Sequence, residues 1–370
     1  MTDDLRALVL PTGGPAIATL PKVSLHDHLD GGVNPATLIE LADAVGHALP
    51  SDDPAALADW FRAAADSGSL ERYLETFTHT LAVMQTREGI ERVARDFVAD
   101  LVADGVVYAE IRWAPEQHLA GGLGLDDAVA AVQAGLDAGV DAAASAGHRI
   151  RTGQLLCAMR QNDRALEIAE LAVRHRERGV VGFDIAGPEA GFPAARHRAA
   201  FDYLAAAFFP TTVHAGEADG VESIRGALLD GRALRLGHGV RIMADVTIEG
   251  RDDEVTLVTL GPLAQWVKDR EIALEIAPQS NLQTDAWGTD LADHPFDSLY
   301  QLGFAVTVNP DNRLMSATSI TRELHELART FGYGLDDVEV FQLNAAAATF
   351  LPIEEREELA ETILRGFRPA

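Results

Sequence analysis

The chain has one cysteine and two lysines in 370 residues. With Cys157 as the single thiol, no intramolecular disulfide and no cysteine-rich structural zinc site can form. Cys157 lies in the strand-like run GQLLCAMR and reads as a buried, inert thiol. Lysine is confined to Lys22 and Lys268, and the remaining basic residues are arginine. Thirty basic side chains face 57 acidic ones, for a net charge of -27. Such a surface repels phosphate backbones and anionic lipid, so neither nucleic acid nor a membrane is an expected partner. No run is long and apolar enough to span a bilayer. The acidic opening MTDDLRALVLPTGG has a short apolar stretch ending at Pro11, unlike a secretory signal. A cytoplasmic protein is the expectation. Aromatic residues make up only 6%, but hydrophobic residues make up 47%, enough for a large core.

Short apolar or β-branched runs recur along the chain. They occupy 22–28, 106–115, 150–159, 180–187, 209–217, 233–239, 272–280 and 304–312. Helical patterns separate them. Ile90, Val93, Phe97, Leu101 and Val102 recur at helical spacing, and Leu70, Tyr73, Leu74, Phe77, Leu81 and Met84 read as one further helix over 70–84. Strands alternating with helices imply parallel pairing. Eight such units predict an α/β fold, a (β/α)8 TIM barrel, with a doubly wound open sheet as the competing architecture. His28, Glu110, Gly187, His214, His238, Ser280 and Asp311 lie near the C-terminal ends of their runs. A closed barrel would bring those ends to one rim.

The first connection, roughly residues 29 to 105, is too long for an ordinary loop. It reads as a helical insertion, a lid over about 31–105, within a single barrel domain spanning 1–370. The tail after residue 313 reads as helices.

The stretch VSLHDHLDGG places His26 and His28 on one face of an extended strand, with Asp27 on the other. Two imidazoles converging on one spot suggest a metal. His214 in TTVHAGEADG and Asp311 in VTVNPDNRLMS follow β-branched runs and should project from the same rim. Three imidazoles and one carboxylate suit Zn²⁺ with room for water, whose pKa the metal would lower. Glu217, three residues after His214, could shuttle a proton. His238, between two glycines, could hydrogen-bond that water. Each motif has a plainer alternative. Isolated His-X-His pairs are common, HAGE could be a helix entry, LGHG a turn, NPDN an ordinary turn and AGPE a capped helix start. Glu110 and Arg112 read as a buried ion pair supporting the barrel. His294 reads as structural.

Taken together, LPKVSLHDHLDG, GVVYAEIRWAP, VVGFDIAGPE, VHAGE, LGHGV, the SN at 280–281 and VNPDNRLMS resemble the metal-dependent adenosine deaminases of the amidohydrolase superfamily. The pieces span nearly the whole chain in the family's order. The resemblance implies His26, His28, His214 and Asp311 as ligands of one Zn²⁺ per subunit. It implies Glu217 as the acid at purine N1 and His238 as the residue orienting the attacking hydroxide. It implies Gly187 N–H as donor to purine N3, Asp30 as the 5′-hydroxyl contact, and Leu70, Tyr73, Leu74 and Phe77 as an apolar lid. His28 would also border the substrate. Where many members carry a second aspartate at the purine N7 contact, this chain has Asn312, which offers a polar contact without charge. The implied activity is deamination of adenosine and 2′-deoxyadenosine in purine salvage. The alternative is another 6-aminopurine, either adenine or an N6-amino nucleoside of the futalosine type.

Overall fold

The computed structural model describes residues 5–251 and 256–368. Every one of the eight apolar runs contains a strand. In order these are β1 (Lys22–His28), β2 (Val106–Trp113), β3 (Arg151–Met159), β4 (Val180–Ala186), β5 (Thr212–Ala215) and β6 (Arg235–His238). A hairpin, β7 (Val246–Arg251) and β8 (Thr256–Leu260), intervenes before β9 (Ala273–Ile276) and β10 (Val306–Val308).

One parallel sheet runs β1-β2-β3-β4 and another β10-β9-β6-β5. Backbone hydrogen bonds join them at both seams. Phe183 N donates to Pro210 O at 3.1 Å beside β5. At the other seam, His28 N donates to Asp311 O at 2.8 Å and Asp311 N donates to His26 O at 3.0 Å. The parallel strands therefore close into a (β/α)8 barrel, and the open sheet is excluded. The second seam matters chemically: closing the barrel places the start and end of the chain's functional residues side by side.

Five helices lie between β1 and β2: Pro35–Val45, Pro54–Ala65, Leu70–Glu75, Phe77–Val83 and Arg87–Ala103. The first two begin with proline after an Asn34 or Asp53 cap, whose side chain accepts from Ala36 N or Ala56 N. The single helix expected over 70–84 is two. Thr76 Oγ1 donates to Tyr73 O at 2.7 Å, taking a carbonyl the helix needs and turning the chain. The β7–β8 hairpin was not expected. Its signal is two β-branched runs, VTIEG and TLVTL, separated by a short polar stretch of sequence. The tail is helical as expected: Ile320–Phe331, Leu335–Ala348 and Ile353–Phe367. No helix among the described residues is long and apolar enough to cross a membrane.

Glu110 and Arg112 point into the barrel, but not at each other. Arg235 Nη2 lies 2.7 Å from Glu110. Arg112 reaches Asp184 at 2.8 Å and Glu275 at 2.5 Å, and Glu275 also takes Arg235 Nε at 2.6 Å. Residues 110 and 112 share one face of β2 with Tyr108, which donates to Glu110 Oε1 at 3.1 Å, while their ion-pair partners come from other strands.

Candidate active site

The C-terminal rim gathers the singled-out residues around a cavity of about 260 Å³. That space suits one small molecule. Its lining includes His28, Asp30, Leu70, Tyr73, Leu74, Phe77, Gly187, His214, Glu217, His238, Asp311 and Asn312. His26 lies beneath, fully buried.

On β1 the alternation works as expected. His26 and His28 face the rim, while Asp27 turns away to Arg313 Nε at 2.9 Å. His214 arrives on β5 and Asp311 just after β10. One ligand atom from each of His26, His28, His214 and Asp311 lies within 4.8 Å of all the others. Asp311 Oδ1 stands 3.2 Å from His26 Nε2 and 3.3 Å from His28 Nε2. His28 Nε2 stands 3.3 Å from His214 Nε2. Donors that share one zinc at ~2.1 Å stand no more than about 4.2 Å apart, and these three separations fall within that limit.

The outer nitrogens are committed elsewhere. His26 Nδ1 donates to Glu275 Oε2 at 3.0 Å, and His214 Nδ1 lies 2.8 Å from Asp184 Oδ2. The carboxylates fix the imidazole tautomers and leave the Nε2 lone pairs turned inward. Burial lowers His214, and pushes His28 well down, so these rings stay neutral and able to ligate. Charge agrees. Inside the barrel Arg112 and Arg235 pair with Glu110, Asp184 and Glu275, while Asp311 faces imidazoles and Ser280 Oγ, where a cation suits its charge. The donor set fits a metal ion.

Two residues here carry strained backbone. His238 has φ +62° and Asp311 has φ +58°. Such left-handed conformations in non-glycine residues cluster at functional sites, where the surroundings over-determine them. Two positions here favour glycine. Gly237 passes so close to the ligands that a Cβ would meet His214 Cα at 3.0 Å and His26 Cε1 at 3.2 Å. Gly187 has φ +96°, and a Cβ there would sit 2.6 Å from Gln161 Oε1.

Glu217 is buried beside this cluster. Its Oε1 accepts from Thr284 Oγ1 at 3.1 Å, and its Oε2 lies 3.5 Å from His238 Nε2. Burial, then the nearby charges of Asp311 and Glu189, push its pKa well up, so it keeps its proton near neutrality. Burial also raises Asp30 to about 7, against the backbone N–H donors of Asp30 and Gly31. Burial drives His238 well down. Tyr73 lines the cavity from a buried position, its hydroxyl paired with Ser316 Oγ at 3.2 Å.

Sequence reasoning missed several supporting residues. Glu189 is buried and accepts from the backbone N–H of Gly216, Glu217, Ala218 and Asp219 at 2.6–3.0 Å. Its carboxylate organises the loop that carries Glu217. Asp184 and Glu275 were passed over because each sits inside an apolar strand. A lone carboxylate in such a run is itself the signal, since an acid is rarely buried without a partner.

A parallel barrel with two histidines on its first strand, a third on its fifth and an aspartate after its eighth has the arrangement of an amidohydrolase, with a His/Asp group that could hold a metal. The chain belongs to the adenosine deaminase family, whose model matches residues 21–365. It is 53% identical over 350 residues to adenosine deaminase 1 of Streptomyces coelicolor, covering 94% of this chain and 87% of that one. It is 52% identical over 351 residues to the adenosine deaminase of Mycobacteroides abscessus, covering 95% and 96%. Among solved structures, it resembles the adenine deaminase of Arthrobacter aurescens with a TM-score of 0.79 at 22% identity, covering 94% and 98%. It also resembles an amidohydrolase from Burkholderia ambifaria with bound zinc, with a TM-score of 0.79 at 23% identity, covering 97% and 96%. At those identities the two structures speak to the fold alone.

Proposed function

We propose that this protein is a zinc-dependent adenosine deaminase, converting adenosine and 2′-deoxyadenosine with water to the corresponding inosines and ammonia. The observation that carries the reading is the convergence of His26, His28, His214 and Asp311 beside the buried carboxyl of Glu217. The close relatives bearing that enzyme's name support it.

His26, His28, His214 and Asp311 would hold the zinc, which supplies Lewis-acid activation of water near neutral pH. The chain does the rest. Glu217 gives its proton to purine N1, which makes C6 more electrophilic. His238 hydrogen-bonds the attacking oxygen. Gly187 N–H donates to N3, and Asn312 offers a neutral polar contact at N7. Asp30 takes the ribose 5′-hydroxyl. Leu70, Leu74 and Phe77 cover the nucleoside, so the helices between β1 and β2 act as a lid within one barrel domain. The proposed setting is cytoplasmic purine salvage.

Asp30 discriminates in part between substrates. A carboxylate in a buried pocket favours a hydroxyl and repels a phosphate. Ammonia release from metal-loaded protein should therefore be greatest with adenosine and 2′-deoxyadenosine. It should be lower with adenine and a 6-amino-futalosine-type nucleoside, and least with AMP. A higher kcat/KM for adenine or the futalosine-type compound would replace the present reading.

The carboxylate behind His214 should matter to metal affinity. Asp184→Asn keeps the shape but loses the charge that faces His214 Nδ1. Zinc affinity, measured by chelator competition, is expected to fall about 10–100-fold. An unchanged affinity would separate Asp184 from metal retention.

A further inference from the structure

We infer that Asn281 and His294 are positioning residues that hold His238 in the tautomer with its proton on Nε2. His238 therefore meets the reacting oxygen as a hydrogen-bond donor. The inference deepens the proposed reaction and rests on that reading of the site.

One group at this site has a fixed role. The backbone N–H of Phe296 can only donate, and it points at His294 Nδ1 at 3.1 Å. That nitrogen must accept. His294 is buried, and burial holds its pKa near 3, so the ring is neutral and carries its one proton on Nε2. His294 Nε2 then donates to Asn281 Oδ1 at 3.4 Å. With its oxygen turned to His294, Asn281 presents its NH₂ to His238 Nδ1 at 3.0 Å. The amide is a donor there, so His238 Nδ1 accepts and the imidazole proton resides on Nε2. Flipping the Asn281 amide would set NH₂ against the His294 N–H, donor against donor, inside a fully buried site.

The consequence lies at the other edge of the ring. His238 Nε2 is 3.5 Å from Glu217 Oε2, and one atom each of His238, Glu217 and Asp311 falls within 4.8 Å of the others. A fixed N–H aimed into that space stabilises charge that develops on the oxygen. It does so without reorganising during the reaction. The left-handed backbone at His238, φ +62°, is then held from both ends: β6 positions the main chain and the Asn281 amide positions the ring.

The test is the tautomer itself, read by ¹⁵N NMR on zinc-loaded protein labelled at histidine. The His238 signals are identified by their loss in His238→Gln. In the unmodified protein, Nε2 should be protonated and Nδ1 bare. Asn281→Asp replaces the donor with an acceptor, so the proton should move to Nδ1. His294→Leu removes the donor that orients the amide and should give a mixture of tautomers. His294→Gln supplies an N–H again and should restore Nε2. In kinetics, Asn281→Asp should lower kcat on the order of 10²-fold, with KM changed by no more than about threefold. A proton on Nδ1 in the unmodified protein overturns the inference, as does one that stays on Nε2 in Asn281→Asp. Should Asn281→Asp not fold, the unmodified protein and the two His294 variants still decide. The spectra need no turnover, so a failed adenosine assay would sink the proposed reaction and leave the tautomer result standing on its own.

Discussion

Glu217→Gln should retain its metal and lose about 10²–10⁴-fold in turnover. The residue is not among the four converging ligands, so zinc content should match that of the unmodified protein. Glutamine keeps the shape and can still accept from Thr284 Oγ1, so the pocket should hold nucleoside with little change in KM. What it lacks is a transferable proton. Burial, together with the charges of Asp311 and Glu189, keeps that proton on Glu217 in the resting protein. An amide in the same place can hydrogen-bond N1 but cannot protonate it. The loss should therefore fall on kcat, the mark of an interaction made in the transition state. Elemental analysis and steady-state rates on one preparation check both halves. Turnover within tenfold of the unmodified enzyme would remove Glu217 from the proton path.

Glu217 was legible in the sequence, but the reason it stays protonated was not. HAGE lies three residues past His214, and a strand-to-rim reading places both on one edge. The acid that shapes its loop, Glu189, sits 28 residues earlier on a different unit of the barrel. Only closure of the sheet brings the two together. The same holds for the strand carboxylates. The period-two pattern of β1 assigns His26 and His28 to one face, because that rule is local. The outer nitrogen of His26 is met by Glu275 on β9, and that of His214 by Asp184 on β4, pairings that no spacing rule connects. Glu110 and Arg112 show the limit most directly. Their shared face was readable, but their partners were across the barrel interior. The hairpin at β7–β8 was missed for another reason. It lies outside the strand–helix rhythm, and a search for that rhythm passes over it. Local periodicity and turn chemistry carried the strands and the metal residues, whereas charge neutralisation across the barrel required the closed fold.

Glu275, the cross-barrel acid that bridges both Arg112 and Arg235, gives the largest expected loss of stability. Glu275 is fully buried and takes Arg112 Nη2 at 2.5 Å, Arg235 Nε at 2.6 Å, His26 Nδ1 at 3.0 Å and Thr212 Oγ1 at 3.0 Å. Burial alone would raise its pKa, yet Arg112 and Arg235 hold it well below the usual carboxylate range. Glu275→Ala would leave two buried guanidinium groups short of an acceptor, and uncompensated buried charge is costly. Chemical denaturation of the metal-free proteins should show a loss of about 3–5 kcal/mol. Glu275→Gln keeps one acceptor oxygen and should lose less. The Ala variant should also hold zinc more weakly, because His26 loses the carboxylate that fixes its tautomer. Arg112 retains Asp184, and Arg235 retains Glu110, so the barrel should weaken without failing to form. A stability change below about 1 kcal/mol for Glu275→Ala would mean that water or a shifted side chain replaces the lost acceptor, and the account of a closed charge network through the barrel would be wrong.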